Sequence, residues 1–199
     1  MNNHGLSRVA QFKFDFCLLR LLIKRFPHGN TVDRWILESK IIRNIAFSKD
    51  RSRIISVGVS WTSKDYFNFF DVGTAKVFKT VDPFYVSSDR ENHFTCRFEK
   101  LELEEFYDVI LLNGVFGYGT DSFQEVETIF QQCVNLLSPT GVVVVGAKAV
   151  NGRIQSPNFD IYEIANSFGF QPAKIPGLNV SFFATSHQNG HTFWAFEFR

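Results

Sequence analysis

The stretch Arg53-Ile-Ile-Ser-Val-Gly58-Val59, followed by Ser60-Trp61-Thr62-Ser63, decides the fold. Ile54, Ile55, Val57 and Val59 are β-branched and form a short apolar run bounded by polar residues, which reads as a buried strand. Gly58 lets the backbone bend tightly or approach a ligand closely. Further on, Val77-Phe-Lys-Thr-Val-Asp82 is a second β-rich run ending in an acid. Strand, glycine turn, helix, then a strand ending in a carboxylate is an arrangement that holds a nucleoside. The turn faces the ligand, the helix N-terminus offers free N–H groups, and the carboxylate accepts the ribose hydroxyls.

Composition bounds the rest. A chain of 199 residues suits one domain with a real core. The 24 Phe are an excess, read as genome composition or bulky core packing rather than as a cavity lining. A net charge of +1 gives no general affinity for polyanions. Cys17, Cys96 and Cys133 are scattered without metal spacing, so a reduced, cytoplasmic protein with no bound metal is expected. The apolar run Phe12 to Phe26 is broken by Lys13, Asp15, Arg20, Lys24 and Arg25, too charged for a membrane span.

Along the chain, Val9 to Phe26 reads as an amphipathic helix stopped by Pro27 and Gly29. It suits a docking or lid helix better than a membrane-surface helix. Asn30 or Thr31 caps a second helix whose apolar positions are Val32, Trp35, Ile36, Ile42 and Ala46. A short helix, Lys64 to Phe70, follows the glycine turn. Only Phe84 to Asn92 separates the second strand from the third, His93 to Phe98, leaving room for one helical turn at most. Asp108 to Asn113 is a near-continuous apolar strand, as in a parallel sheet buried on both faces. Ser122 and Glu125 form a capping box ahead of a helix with Val126, Ile129, Phe130, Cys133 and Leu137 on one face. Pro139-Thr-Gly141 turns into the strand Val142 to Val145, and a helix spans Asn158 to Phe168. Last come Val180 to Thr185, the turn Gln188-Asn189-Gly190, and His191 to Phe198, a hairpin signal.

This order resembles the class I S-adenosylmethionine-dependent methyltransferases, from about Thr31 to Arg199. Ser56-Val-Gly58-Val-Ser60-Trp-Thr62 lies over the family's acid-x-Gly-x-Gly-x-Gly loop. Val81-Asp82-Pro83 fits the acidic end of strand two, and Phe106-Tyr107-Asp108 fits the opening of strand four. Leu136-Leu137-Ser-Pro139-Thr-Gly141 fits the turn before strand five, and Phe168-Gly169-Phe170 fits the Gly-Phe before strand six. The departures fall in the glycine loop, where Ser56 stands for the acid, Ser60 and Thr62 replace glycines, and Trp61 adds bulk.

The resemblance implies an α/β, Rossmann-like three-layer sandwich. Its sheet has seven strands, mostly parallel, and ends in a C-terminal antiparallel hairpin. Residues 1–30 form a helical extension that serves as a lid, and 31–199 form the methyltransferase-like domain. The implied cofactor is S-adenosyl-L-methionine, held by Ser56, Gly58, Ser60, Asp82, Pro83, Phe98, Glu99 and Asn113. Phe116 and Tyr118 wall the acceptor pocket. With no basic patch, a small molecule is the expected acceptor rather than nucleic acid, and no membrane partner is expected. The alternative is a catalytically inactive relative serving as a binding or scaffolding partner. Asp82 and Asn113 each also fit a plain turn, before Pro83 and Gly114. His93, His187 and His191 are set aside as general bases, since the last two flank the hairpin turn, where exposure is the default.

Overall fold

The computed structural model describes residues 8–25, 31–59, 66, 70, 77–87, 89–120, 122–150, 153–155, 157–185 and 191–199. Helix α1 is Arg8–Arg25. Helix α2 (Thr31–Ile36) runs through a π-helical segment (Leu37–Ile42) into α3 (Arg43–Ala46). The strands are β1 (Arg53–Val57), β2 (Val77–Val81), β3 (His93–Phe94), β4 (Tyr107–Asn113), β5 (Leu137–Val150), β6 (Arg153–Gln155), β7 (Asn158–Asp160), β8 (Phe170–Pro172), β9 (Phe182–Ala184) and β10 (His191–Phe198). Helix α4 (Phe123–Leu136) precedes β5, and α5 (Ile161–Ser167) precedes β8.

The main path of the sheet runs β3-β2-β1-β4-β5-β10-β8. Strands β1 to β5 pair in parallel, and β10 is antiparallel to both β5 and β8. The last strand therefore lies inside the sheet, between β5 and β8. β9 supplies the other arm of the hairpin, pairing Phe182 with Trp194. The turn Gln188-Asn189-Gly190 lies outside the described residues.

Strand side chains alternate between two buried layers. Ile55, Val57, Ile110, Leu112, Val143, Val145, Trp194 and Phe196 join the core beneath α4 and α5. Ile54, Val109, Leu111, Val142, Val144, Phe193 and Ala195 join the core beneath α1 to α3. Two apolar faces explain why β4 reads as an unbroken apolar run. The Phe excess goes largely into these cores, where Phe130 stacks on Phe116 and Phe168 and meets Phe170 edge-on.

The N-terminal ends of the central strands are pinned by Asp108, at the start of β4. Its Oδ2 accepts from the Ser52 and Arg53 amides at 2.8 and 3.0 Å, and its Oδ1 from the Ser138 hydroxyl at 3.2 Å. The capping box forms as read, with Ser122 Oγ accepting from the Glu125 amide and Glu125 accepting from the Ser122 amide.

Three local expectations change. In the second helix, Val32 and Trp35 are exposed, and the buried positions are Leu37, Ile41, Ile42, Ile45 and Ala46, because the π segment shifts the phase. The Pro139-Thr-Gly141 turn sits within β5 as an irregularity: the pairing steps from Tyr107–Leu137 to Val109–Val142. Asn158 does not start a helix. It opens β7, which pairs with β6, and Asp160 is the cap, accepting from the Tyr162 and Glu163 amides. The region from Lys64 to Phe70 is described only at Tyr66 and Phe70, both helical and buried.

No helix among the described residues is long and apolar enough to cross a membrane.

Candidate active site

The parallel strands end on one edge of the sheet, and a cavity of about 710 Å³ opens there. Its floor is Gly58 and Val59 after β1, Asp82 after β2, and Asn113 and Gly114 at the end of β4. Asp33, Arg34 and Leu37 cover it from the α2 side, Phe84, Tyr85 and Tyr118 come from loops, and His191 and Phe193 come from β10. Open α/β sheets take ligands in this position, where strand order reverses between β1 and β4.

Gly58 has φ +77°, a left-handed conformation natural only to glycine. A Cβ there would stand 2.4 Å from the Asn113 carbonyl oxygen. The close approach that Gly58 permits is thus to the end of β4, and its N–H donates to the Val81 carbonyl at 3.1 Å.

Asp82 Oδ1 accepts from the Phe84 and Tyr85 amides, both at 2.8 Å. The turn reading of this residue holds, and the same turn fixes the carboxylate at the cavity, with Oδ2 in no hydrogen bond among the described residues. Behind it, His93 Nε2 donates to the Tyr85 carbonyl (2.7 Å), so Nδ1 accepts from Thr80 Oγ1 (2.8 Å). That assignment follows because a carbonyl can only accept.

Asn113 is 9% exposed, and its Oδ1 has no hydrogen-bond partner among the described residues. Its side chain lies across Gly146, where a Cβ would meet Asn113 Oδ1 at 2.4 Å and the Phe193 ring at 2.9 Å. A buried orphan oxygen is uncommon and marks a place where a donor from a ligand fits.

On the covering helix, Arg34 Nη1 donates to Tyr66 Oη (2.8 Å), which donates to the buried Glu38 Oε1 (3.2 Å). Burial works against the Arg34 charge, but Tyr66 and Glu38 together hold its pKa above the ordinary guanidinium value. Asp33 Oδ2 accepts from the His191 amide at 3.1 Å and stands 3.4 Å from His191 Nδ1. Burial pulls the His191 pKa below the usual imidazole value, with Arg34 and Lys148 in the same direction and Asp33 opposing.

The cavity gathers Gly58, Asp82, Asn113 and Tyr118 from the residues expected to form the site. It does not gather the others. Ser56 is buried inside β1, Pro83 is exposed beside Asp82, and Phe98 is core. Glu99 is paired with Arg97, which also holds Glu125. Phe116 is 1% exposed and packs on Phe130 and Phe159. Ser60 and Trp61 lie outside the described residues. The sequence reading did not include Asp33, Arg34, Leu37, Phe84, Tyr85 or Phe193, and it set His191 aside. An acid in the first turn and a base in the last turn of α2 look like ordinary dipole partners, so nothing local marked them. Among the described residues no cluster of His, Cys, Asp or Glu has metal-binding geometry.

No protein-family model matches the chain, and no curated protein matches it in sequence. Solved structures match over nearly its whole length. The N-methyltransferase NodS from Bradyrhizobium japonicum WM9, in complex with S-adenosyl-L-homocysteine, superposes with a TM-score of 0.55 at 13% identity, covering 92% of this chain and 97% of that one. A TehB-like S-adenosylmethionine-dependent methyltransferase from Corynebacterium glutamicum gives 0.60 at 14% identity, covering 94% and 98%. The 1,6-didemethyltoxoflavin-N1-methyltransferase of Burkholderia thailandensis, with its namesake compound and S-adenosylhomocysteine bound, gives 0.54 at 12% identity, covering 100% and 94%. With the strand order and the inserted antiparallel β10, these likenesses establish that the chain has the class I S-adenosylmethionine-dependent methyltransferase fold.

Proposed function

We propose that the chain is an S-adenosylmethionine-dependent methyltransferase acting on a small-molecule acceptor. The observation that carries this reading is one cavity that joins Gly58, Asp82 and Asn113 at the strand ends. The donor set suits an adenosyl cofactor: Asp82 Oδ2 would take the ribose hydroxyls, and the orphan Asn113 Oδ1 would take a donor from the amino-acid end. The rings of Phe84 and Tyr85 stand beside Asp82 for the base. When bound, the cofactor supplies a methyl group already activated on a sulfonium. The chain then has to align the acceptor and keep water out. The helical region ahead of β1 is the lid of this proposal, and Asp33, Arg34 and Leu37 are its inner face. The solved neighbour named for 1,6-didemethyltoxoflavin supports that acceptor class.

The inactive-relative reading draws on Ser56, which is buried inside β1 at the family's acid position. Calorimetric titration with S-adenosylmethionine and S-adenosylhomocysteine separates the two. The enzyme reading expects micromolar binding of both, and no heat from either would overturn it in favour of the inactive relative.

A further inference from the structure

His191 and Asp33 sit 158 residues apart in sequence and meet across the mouth of the cavity. Asp33 is 7% exposed, and one of its oxygens receives both the His191 amide and the side of the ring carrying Nδ1. A carboxylate only accepts, so the proton of a neutral imidazole belongs on Nδ1, which leaves the Nε2 lone pair unprotonated. Nε2 makes no hydrogen bond among the described residues. The other Asp33 oxygen has no partner there either.

The position of the pair matters. β10 is two strands from β4 and four from β2. At roughly 4.8 Å per strand, His191 stands on the order of 10 Å along the sheet from the Asn113 strand and about 19 Å from the Asp82 strand. A nucleoside held by Asp82 puts its far end near Asn113, and what comes next along the cavity is the acceptor.

We propose that His191 is a general base positioned by Asp33, and that the acceptor is a small molecule methylated on a hydroxyl. This rests on the methyltransferase reading above. A hydroxyl, unlike an amine, is a poor nucleophile until its proton leaves. The acceptor oxygen forms the O–CH₃ bond as the S–CH₃ bond breaks, with the bonding pair passing to sulfur to give a neutral thioether. The hydroxyl proton moves to His191 Nε2 and from there to solvent. Asp33 faces the imidazolium that forms and stabilises it, while Arg34 from α2 and Lys148 from β5 disfavour it. The ring of Phe193 lies 6.3 Å from that of His191 and nearly parallel to it. Burial, more than Arg34 and Lys148, holds the His191 pKa below the usual imidazole value, which favours the neutral ring that a base requires.

The test begins with titration of S-adenosylhomocysteine into the native protein. Absence of binding overturns the methyltransferase reading and this inference with it. Nitrogen-15 spectra of the native protein, with the His191 signals assigned by their loss in His191→Gln, then read the tautomer. An Nδ1–H, Nε2-unprotonated ring at neutral pH is expected, shifting towards Nε2–H in Asp33→Asn. An Nε2–H ring in the native protein overturns the base while leaving cofactor binding intact. Methyl transfer is read on two probes, phenol and the more readily ionised 4-nitrophenol. In His191→Gln the phenol-to-4-nitrophenol rate ratio should fall by about 10²-fold or more. The acid limb of the native pH profile should disappear with it. An unchanged ratio overturns the proposal. If the native protein methylates neither probe, the tautomer decides alone.

Discussion

Gly58→Ala tests whether this glycine serves the ligand or the sheet. An alanine at φ +77° carries left-handed strain of about 1–2 kcal/mol. Its Cβ would also sit 2.4 Å from the Asn113 carbonyl oxygen and 3.1 Å from the Gly114 carbonyl, all backbone that cannot swing away. Overpacking of that kind adds about 1–3 kcal/mol. Loss of unfolded-state entropy returns about 0.4–1 kcal/mol, for a net loss of about 1–5 kcal/mol. At this chain length the melting temperature should drop by about 2–18 °C. Gly169→Ala is the control: its φ is +81°, yet a Cβ there meets nothing within 4 Å. It carries the strain without the clash, offset by the same entropy return, and should lower the melting temperature by no more than about 6 °C. Calorimetric melting of the three proteins side by side decides. Equal shifts in the two variants would refute the packing argument. So would an unshifted Gly58→Ala that has lost only S-adenosylhomocysteine binding.

Asp82→Ala should weaken S-adenosylhomocysteine by about ten- to a hundred-fold, the worth of roughly 1.5–3 kcal/mol in a charge-assisted hydrogen bond; unchanged calorimetric affinity with intact circular dichroism would place the ribose elsewhere. Gly146→Ala should push the Asn113 side chain off its seat, since the new Cβ would stand 2.4 Å from Oδ1. Its effect on S-adenosylhomocysteine affinity should exceed that of Ala147→Gly, measured by the same titration. Because burial depresses the His191 pKa in the folded chain, the unfolded state binds more protons as pH falls below about 6.5, and stability declines through that window. Urea midpoints at neutral and mildly acid pH should diverge in the native protein and converge in His191→Gln. Burial raises the Cys133 thiol far above its ordinary pKa, so a thiol reagent should titrate Cys17 and Cys96 in the folded state and reach Cys133 only after unfolding.

The sheet was legible because its strands are marked on both sides. Asp108 to Asn113 and Val142 to Val145 are apolar at every second position on both faces, and only a doubly covered sheet allows that. The β-rich runs flanking Asn189-Gly190 pointed to the inserted β10 for a local reason, turn chemistry. What stayed illegible depends on distance along the chain. Asp33 reaches His191 across 158 residues, and no spacing rule covers that. Glu99 carried the right charge near the right strand, but its neighbour Arg97 claims it together with Glu125. Phe116 follows a strand end as a pocket wall would, yet its ring turns inward to Phe130 and Phe159. The Asx turn at Asp82 shows why two readings of one residue can both hold, since one oxygen makes the turn and the other remains for a ligand.

The π-helical segment Leu37–Ile42 has an evolutionary consequence. A π turn is a helix carrying a surplus residue. Ahead of it, Asp33 and Arg34 look into the cavity; at its end and behind it, Ile41, Ile42 and Ile45 are locked in the core. Each residue added to or removed from an α-helix rotates everything beyond it by about 100°. A one-residue deletion in the segment would leave the core half seated and swing the cavity half to present different side chains. The lining of such a cavity can thus change by indel as well as by substitution, re-aiming an entire turn of helix in one genetic step.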